Sequence, residues 1–233
     1  MTSQLQMVQP KPPASWPLFR ALVGVGLISG LSIVSAYQLT LPIIERKRAE
    51  ALERAIFQVL PEARSSTTFL LKDGGGFEPL AGDGRGLALV YAGYDEQDRL
   101  VGLAIEASRM GYQDVIRVLY GYSFEDEAIV GVRVLESKET PGLGDKIETD
   151  PAFLANFRRL DVTLAGDGQA LANPIVPVKR GQKEQAWQVD GITGATISSK
   201  AIANMLNDSA AYWIPRVRGG RDDFARAVDG GAP

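Results

Sequence analysis

Residues 91–108, YAGYDEQDRLVGLAIEAS, are matched by residues 120–137, YGYSFEDEAIVGVRVLES, which begin 29 positions later and repeat the same pattern. Each copy has an apolar run, a polar turn and a second apolar run, which is the pattern of a β-hairpin. Two hairpins form a twisted antiparallel sheet, one face of which must be buried against other elements. Two apolar helical patterns, at 151–159 and 198–213, can cover that face. The repeat therefore predicts an α+β fold of antiparallel hairpins covered by helices.

A separate apolar segment, Ala21 to Ile44, contains 24 residues without a charge. A helix of about 20 apolar residues spans a bilayer, so the segment predicts a single transmembrane helix. A cleaved signal peptide is the alternative, although its apolar core is shorter. Lys and Arg lie on both sides of the segment and do not decide its orientation. The predicted order along the chain is an N-terminal tail at 1–20, the transmembrane helix at 21–44, a linker helix at 45–64, a folded domain at 65–215 and a polar C-terminal tail at 216–233.

The composition excludes several kinds of chemistry. The chain has no Cys and no His, which removes thiolate and imidazole metal sites, iron–sulfur clusters, a Ser-His-Asp triad and disulfides. A net charge of -3 without a basic patch argues against nucleic acid as a partner. We predict no metal site and no catalytic residue, so any redox chemistry must belong to a cofactor that other groups hold.

Residues 190–199, DGITGATISS, have the composition of a ligand-binding turn before a helix. Two glycines leave the backbone open to close approach, and Thr196 lies where an amphipathic helical pattern begins. A helix N-terminus attracts phosphate through its unpaired N–H groups and its dipole. The stretch indicates a phosphate tied to a threonine hydroxyl. The structural alternative is an ordinary strand–turn–helix with Thr196 or Ser198 as the N-cap.

Residues 139–146, ETPGLGDK, form a second candidate segment. Pro141 fixes φ and Gly142 accepts a positive φ, which is the pairing that a type II turn requires. Backbone N–H groups here can donate to a planar heterocycle, Leu143 can pack on its face, and Lys146 can offset anionic charge. We expect Gly142→Val to strain the turn and to block the ring. A tight connection between a strand and a helix is the alternative.

Taken together, these segments resemble the FMN-binding domain of the G subunit of Rnf-type electron-transport complexes. The related C subunit of the sodium-translocating quinone reductase shares this domain. The resemblance covers the apolar anchor and nearly all of residues 85–213. It departs from the family at Gln113-Asp114, where members often have small residues. It is carried by Gly111-Tyr112, Ile129-Val130-Gly131-Val132 and the segments 139–147 and 190–196, in this order.

The resemblance implies that FMN is joined through its phosphate to Thr196. A separate, Mg-dependent flavin transferase would attach it, using FAD. Asp190 is similar to the acidic residue that opens the transferase recognition motif, and Thr193 stands where many members carry Ser. The other cofactor-binding residues that the resemblance implies are Glu139, Thr140, Pro141, Gly142, Leu143, Gly144, Lys146, Thr193, Gly194, Ala195 and Ser199.

By the same resemblance, the chain is an electron-carrying subunit of a membrane complex that couples electron transfer to ion translocation, without turnover of its own. Its partners would be the other subunits, the flavin transferase during maturation, and membrane lipid. The N-terminus would be cytoplasmic, and the large domain would lie on the periplasmic side of the inner membrane. The alternatives are the C subunit of a sodium-translocating quinone reductase, a stand-alone flavoprotein, and a non-redox periplasmic interaction module.

Overall fold

The computed structural model describes residues 15–82, 84 and 86–225. Helix α1 (Ser15–Val59) contains the whole predicted transmembrane segment and continues through Pro42. By length and composition it can cross a membrane, and none of its most apolar stretch is buried in the protein. Residues 1–14 and 226–233 of the predicted tails lie outside the described residues.

A seven-stranded antiparallel sheet forms the centre of the domain that follows residue 50. Its strand order is β2-β1-β3-β4-β5-β6-β7. The two copies of the sequence repeat are the hairpins β3–β4 and β5–β6, and β4 also pairs with β5. The strands are β1 (Ser65–Leu71), β2 (Phe77–Pro79), β3 (Leu89–Tyr94), β4 (Leu100–Met110), β5 (Val115–Ser123), β6 (Ala128–Glu136) and β7 (Leu160–Asp161).

A long C-terminal helix, α4 (Thr196–Gly219), covers one face of this sheet. Ile202, Leu206 and Ile214 of this helix are fully buried in one cluster with Tyr120 and Tyr122 of β5. The α+β class predicted from the repeat is confirmed. The remaining elements are α2 (Lys146–Thr149), α3 (Pro151–Ala155), the parallel pair β8 (Val176–Val178) and β9 (Gln188–Asp190), and a short 3-10 helix (Arg221–Phe224).

The last turn of α1 packs on the other face of the sheet. Alternate strand residues point to opposite faces, and Ala104 and Leu119 share a cluster with Val59 while their neighbours face α4. A Cβ on Gly121 would lie 2.3 Å from the carbonyl oxygen of Val59, and one on Gly131 would lie 3.0 Å from its Cα. The helix end therefore sits directly on glycine backbone. Four glycines pair across adjacent strands where the helix end packs: Gly93 with Gly102, and Gly121 with Gly131. We call these four residues the glycine seat.

Several predicted boundaries differ from the structure. The linker helix predicted at 45–64 ends at Val59, and its last turns belong to the buried core because they have the sheet to pack against. Strand β9 begins at Gln188, because the preceding residues form a turn in which the N–H of Gln188 donates to the carbonyl oxygen of Gln185 at 3.1 Å.

The C-terminal tail predicted from residue 216 also differs. Helix α4 continues to Gly219, and Phe224 is fully buried. The ring of Phe224 lies 4.7 Å from that of Phe77 and 5.1 Å from that of Phe69, between ring centroids. The hydroxyl of Tyr94 donates to the Phe224 carbonyl oxygen at 2.8 Å. Phe224 thus anchors a mostly polar segment in the core. The polar composition of that segment predicted an exposed tail because it does not register one buried aromatic residue.

Candidate functional site

The two candidate segments, 139–146 and 190–199, meet at one cleft of about 360 Å³. Their contact is direct, because the hydroxyl of Ser198 donates to Oε2 of Glu139 at 2.5 Å. Two larger depressions, of about 710 and 970 Å³, lie elsewhere on the domain and contain no predicted cofactor-binding residue. The cleft is lined by Tyr112, Glu139, Thr140, Leu143, Gly144, Gly194, Ala195, Thr196, Ile197 and Ser198.

The first wall of the cleft is the turn at 139–144. The N–H groups of Leu143 and Gly144 donate to the carbonyl oxygen of Thr140 at 3.2 and 2.9 Å. Gly142 has a φ of +78°, as the Pro–Gly pair predicts. Gly142 does not line the cleft, however, and a Cβ there would meet nothing within 4 Å. Gly142→Val therefore meets backbone strain without a collision inside the protein, whereas a side chain at Gly144 would collide with Glu139. The block against a bound ring stays a prediction.

Glu139 is a buried carboxylate behind this wall, with 6 % of its surface exposed. Its Oε1 accepts the backbone N–H groups of Tyr112 and Gln113, at 2.9 and 3.1 Å. Its Oε2 accepts the hydroxyl of Ser198 at 2.5 Å. The side chain therefore joins the β4–β5 turn and the start of α4 to the 139–144 turn.

The second wall is the first turn of α4, which begins at Thr196. Ala195 is the N-cap residue and provides no side-chain cap, so no side chain satisfies the first N–H groups of the helix. Thr196 is exposed, and its hydroxyl makes one long hydrogen bond, 3.5 Å, to the carbonyl oxygen of Ile192. Ser199 points inward, where its Oγ accepts the N–H of Ile192 and donates to the carbonyl oxygen of Thr196.

The mouth of the cleft carries apolar side chains in contact with solvent. Tyr112, Leu143 and Ile197 are 63 %, 50 % and 54 % exposed. Each comes from a different segment: the β4–β5 turn, the 139–144 turn and the start of α4. Apolar surface at a concave site is suited to the faces of a planar ring.

Not every predicted site residue reaches the cleft. Seven of the predicted residues line it, and five do not. Ser199 is buried, and its hydroxyl is bonded to the backbone of Ile192 and Thr196, so it does not face the cleft. Those that line the cleft are Glu139, Thr140, Leu143, Gly144, Gly194, Ala195 and Thr196; those outside the lining are Pro141, Gly142, Lys146, Thr193 and Ser199.

Three lining residues were missed at the level of sequence: Tyr112, Ile197 and Ser198. Tyr112 belongs to the Gly111-Tyr112 pair that contributed to the resemblance, which was the available signal. Ile197 is exposed whereas Ile202 of the same helix is fully buried, because a spacing of five residues places the two on different sides of the helix.

Asp190, at the start of the second segment, has its carboxylate engaged within the chain. Its Oδ1 accepts the N–H groups of Gln182 and Lys183 at 3.1 and 3.0 Å. Its backbone is paired with the side-chain amide of the buried Asn156 in both directions. Burial lowers the pKa of Lys183, and the charge of Asp190 partly opposes that shift. These contacts hold the strand that leads into the Thr196 turn.

An exposed ion pair lies on the β4–β5 turn next to the cleft. Lys138 Nζ is 2.5 Å from Asp114 Oδ2. This hydrogen bond from Lys138 lowers the pKa of the Asp114 carboxyl and raises the pKa of Lys138. Asp114 also accepts the N–H of Val115 at 2.7 Å. The departure from small residues at Gln113-Asp114 thus adds a charge pair and leaves the Tyr112 backbone bonded to Glu139.

Comparison with known proteins agrees with this geometry. A family described as FMN-binding domain matches residues 111–211, a range that contains the whole cleft. The chain is therefore a protein with an FMN-binding domain.

The G subunit of the ion-translocating oxidoreductase complex of Methanosarcina acetivorans is 30% identical over 199 residues, covering 82% of this chain and 90% of that protein. The corresponding protein of Erwinia tasmaniensis is 29% identical over 194 residues, covering 82% and 84%. The chain belongs to the family of G subunits of ion-translocating oxidoreductase complexes, and the resemblance derived from its motifs is confirmed. Helix α1 makes it a membrane-anchored member of that family.

Solved structures share the fold. NqrC of Shewanella oneidensis aligns with a TM-score of 0.56 and 17% identity, covering 77% of this chain and 98% of its own. The C subunit of the Na(+)-translocating NADH-quinone reductase of Parabacteroides distasonis aligns with a TM-score of 0.55 and 18% identity, covering 79% and 96%. At these identities the likeness is one of fold.

Proposed function

We propose that the chain is an electron-carrying subunit that holds FMN through a phosphoester on Thr196. The observation that carries the proposal is the placement of the hydroxyl groups in residues 193–199, all of which the structure describes. Ser198 and Ser199 are buried and hydrogen-bonded within the protein. Thr193 is exposed but does not line the cleft. Thr196 alone among these hydroxyl-bearing residues is both exposed and in the cleft.

The residues present fit FMN. The cleft volume lies within the range of roughly 300–1,000 Å³ that is typical of small-molecule sites. The start of α4, which lacks a side-chain cap, would hold the phosphate through N–H groups and the helix dipole. Tyr112, Leu143 and Ile197 would contact the ring, and the backbone around Gly144 leaves room for close approach.

Attachment is a transfer from FAD by a separate, Mg-dependent flavin transferase. A bond forms between the Oγ1 of Thr196 and the phosphorus of the FMN portion, the pyrophosphate bond of FAD breaks, and AMP leaves. The hydroxyl proton passes to solvent. This ester requires only a hydroxyl group, which accounts for how a chain without Cys or His can hold a flavin covalently.

Bound FMN supplies the electron-transfer chemistry. The residues of this chain attach the cofactor at Thr196, orient it between two walls, and limit the access of water to its faces. The chain would work as a redox subunit without independent turnover. Covalent attachment would prevent loss of the cofactor outside the cytoplasm.

For the setting of this activity, we infer a single-pass subunit of the inner membrane, with a cytoplasmic N-terminus and residues 45–233 on the periplasmic side. The support is the apolar α1 and the membership of the chain in a family whose named relatives belong to a multi-subunit complex. The partners would be the other subunits of that complex, the transferase during maturation, and the lipid around α1.

The attachment is tested with Thr196→Val and a matched control, Thr149→Val, an exposed threonine outside the cleft lining, each expressed with the transferase. Valine keeps the shape of threonine and removes its hydroxyl. The Thr196→Val protein should show no flavin fluorescence in a denaturing gel, and the control should fluoresce like the parent. Peptide mass spectrometry should place FMN on Thr196. Fluorescence of Thr196→Val, or FMN on another residue, contradicts the attachment. A dark parent protein favours a non-redox module.

The setting is tested in cells. Protease added to spheroplasts should digest the domain after α1, and protection until lysis would contradict the topology. Purification of the tagged chain from membranes should recover other redox subunits. Recovery of the sodium-translocating quinone reductase would assign the chain to that complex, and recovery of no redox partner would leave a stand-alone flavoprotein.

A further inference from the structure

The donors to Glu139 all come from segments other than its own turn. Tyr112 and Gln113 lie 27 and 26 residues before it, and Ser198 lies 59 residues after it. Ser198 is two residues beyond Thr196 in the first turn of α4. The Glu139 side chain therefore links the β4–β5 turn, which carries Tyr112, to the helical turn that carries Thr196.

The surrounding backbone is shaped around this carboxylate. A Cβ on Gly111 would lie 2.5 Å from Oε1, and a Cβ on Gly144 would lie 2.8 Å from Oε2. Neither glycine has a positive φ, so a side chain is excluded at these positions by space rather than by backbone conformation. The two glycines leave a slot that the carboxylate of Glu139 fills.

We propose that Glu139 is a positioning residue for the flavin site, and that it acts through the location of its oxygen atoms and not through its charge. The proposal rests on the function proposed above, with FMN as the occupant. The hydrogen bond from Ser198 fixes the position of the first turn of α4. The hydrogen bonds from Tyr112 and Gln113 fix the position of the β4–β5 turn, which carries the Tyr112 ring. Their common acceptor fixes the width of the cleft between the attachment residue and the ring contacts.

Three substitutions separate location from charge. Glu139→Gln loses the charge, but its carbonyl oxygen can accept both N–H groups and its amide can donate to the Ser198 oxygen. Glu139→Asp keeps the charge, but its carboxylate is withdrawn by about 1.5 Å, one carbon–carbon bond. Glu139→Ala removes both properties. Asp114→Asn is the matched control, because it removes a charge from the adjacent turn without touching the cleft lining.

The first measurement needs no flavin. Amide hydrogen exchange is followed on the full chain in detergent, produced without the transferase. The amides of Tyr112 and Gln113 should exchange at least tenfold faster in Glu139→Ala and Glu139→Asp, and within threefold of the parent in Glu139→Gln and Asp114→Asn. Parental rates in all variants would overturn the proposal. Fast exchange in Glu139→Gln with parental exchange in Glu139→Asp would also overturn it, because charge would then be the cause.

The second measurement uses the flavin-loaded full chain. A ring attached at its phosphate but not held by the walls rotates quickly, so the fluorescence anisotropy of the flavin should fall by at least half in Glu139→Asp. Glu139→Gln should restore the parental value. A role confined to overall stability would lower the unfolding midpoint without freeing the ring, and would overturn the proposal. If the parent chain carries no flavin, the proposed function fails, while the exchange experiment still decides the role of Glu139.

Discussion

The two glycines of the 139–144 turn make a sharp test of how the cleft is built, because they are required for different physical reasons. Gly142 has a positive φ and open space around it, and Gly144 has an ordinary φ and no space. A Cβ on Gly144 would lie 2.7 Å from the Cβ of Glu139 and 2.8 Å from its Oε2. Both distances are well below ordinary van der Waals contact, which starts at 3.4 Å. Gly144→Ala must therefore displace the Glu139 side chain.

The expected magnitudes follow from these contacts. Overpacking of a filled site costs about 1–3 kcal/mol. Pulling a buried carboxylate from its donors adds about 1–3 kcal/mol. We expect Gly144→Ala to lower the free energy of unfolding by about 2–6 kcal/mol, a large share of the roughly 5–15 kcal/mol that stabilises a typical domain. Gly142→Ala carries the left-handed backbone cost alone, about 1–2 kcal/mol.

The assay is pulse proteolysis of the full chain in detergent across a urea series, with the flavin anisotropy measured on the same samples without urea. Gly144→Ala should lose more stability than Gly142→Ala and should also free the ring, whereas Gly142→Ala should keep the parental anisotropy. Equal losses for the two variants, or a free ring in Gly142→Ala alone, would refute the assignment of Gly144 as the residue that makes room for Glu139.

Two further predictions concern the rest of the domain. Gly121→Ala would place a Cβ 2.3 Å from a backbone oxygen at the end of α1, so we expect a loss of about 1–3 kcal/mol or more in the same urea assay. Gly74→Ala is its control, since a Cβ there meets nothing within 4 Å. A similar loss of stability in both variants would contradict close packing of the α1 end on Gly121 of the glycine seat. Phe224→Ala should lower the free energy of unfolding by about 3–5 kcal/mol, as expected for a buried aromatic residue. An unchanged urea midpoint would show that Phe224 does not contribute to the core.

The sequence alone was sufficient for features that depend on neighbours within a few residues. The apolar run 21–44 predicted a spanning helix, the repeat predicted the hairpins, and the Pro141-Gly142 pair predicted a turn with a positive φ. Periodicity predicted a helix at 198–213, and the structure extends it to Thr196–Gly219. These predictions work because helix periodicity, strand alternation and turn chemistry are local properties of the backbone.

The way in which distant segments share one site depends on tertiary packing. Glu139 reads in the sequence as the first residue of a turn, yet its side chain is bonded to Tyr112 on one side and Ser198 on the other. No local pattern carries this information, because the meeting of these segments depends on how α4 and the whole seven-stranded sheet pack together in a close-packed interior.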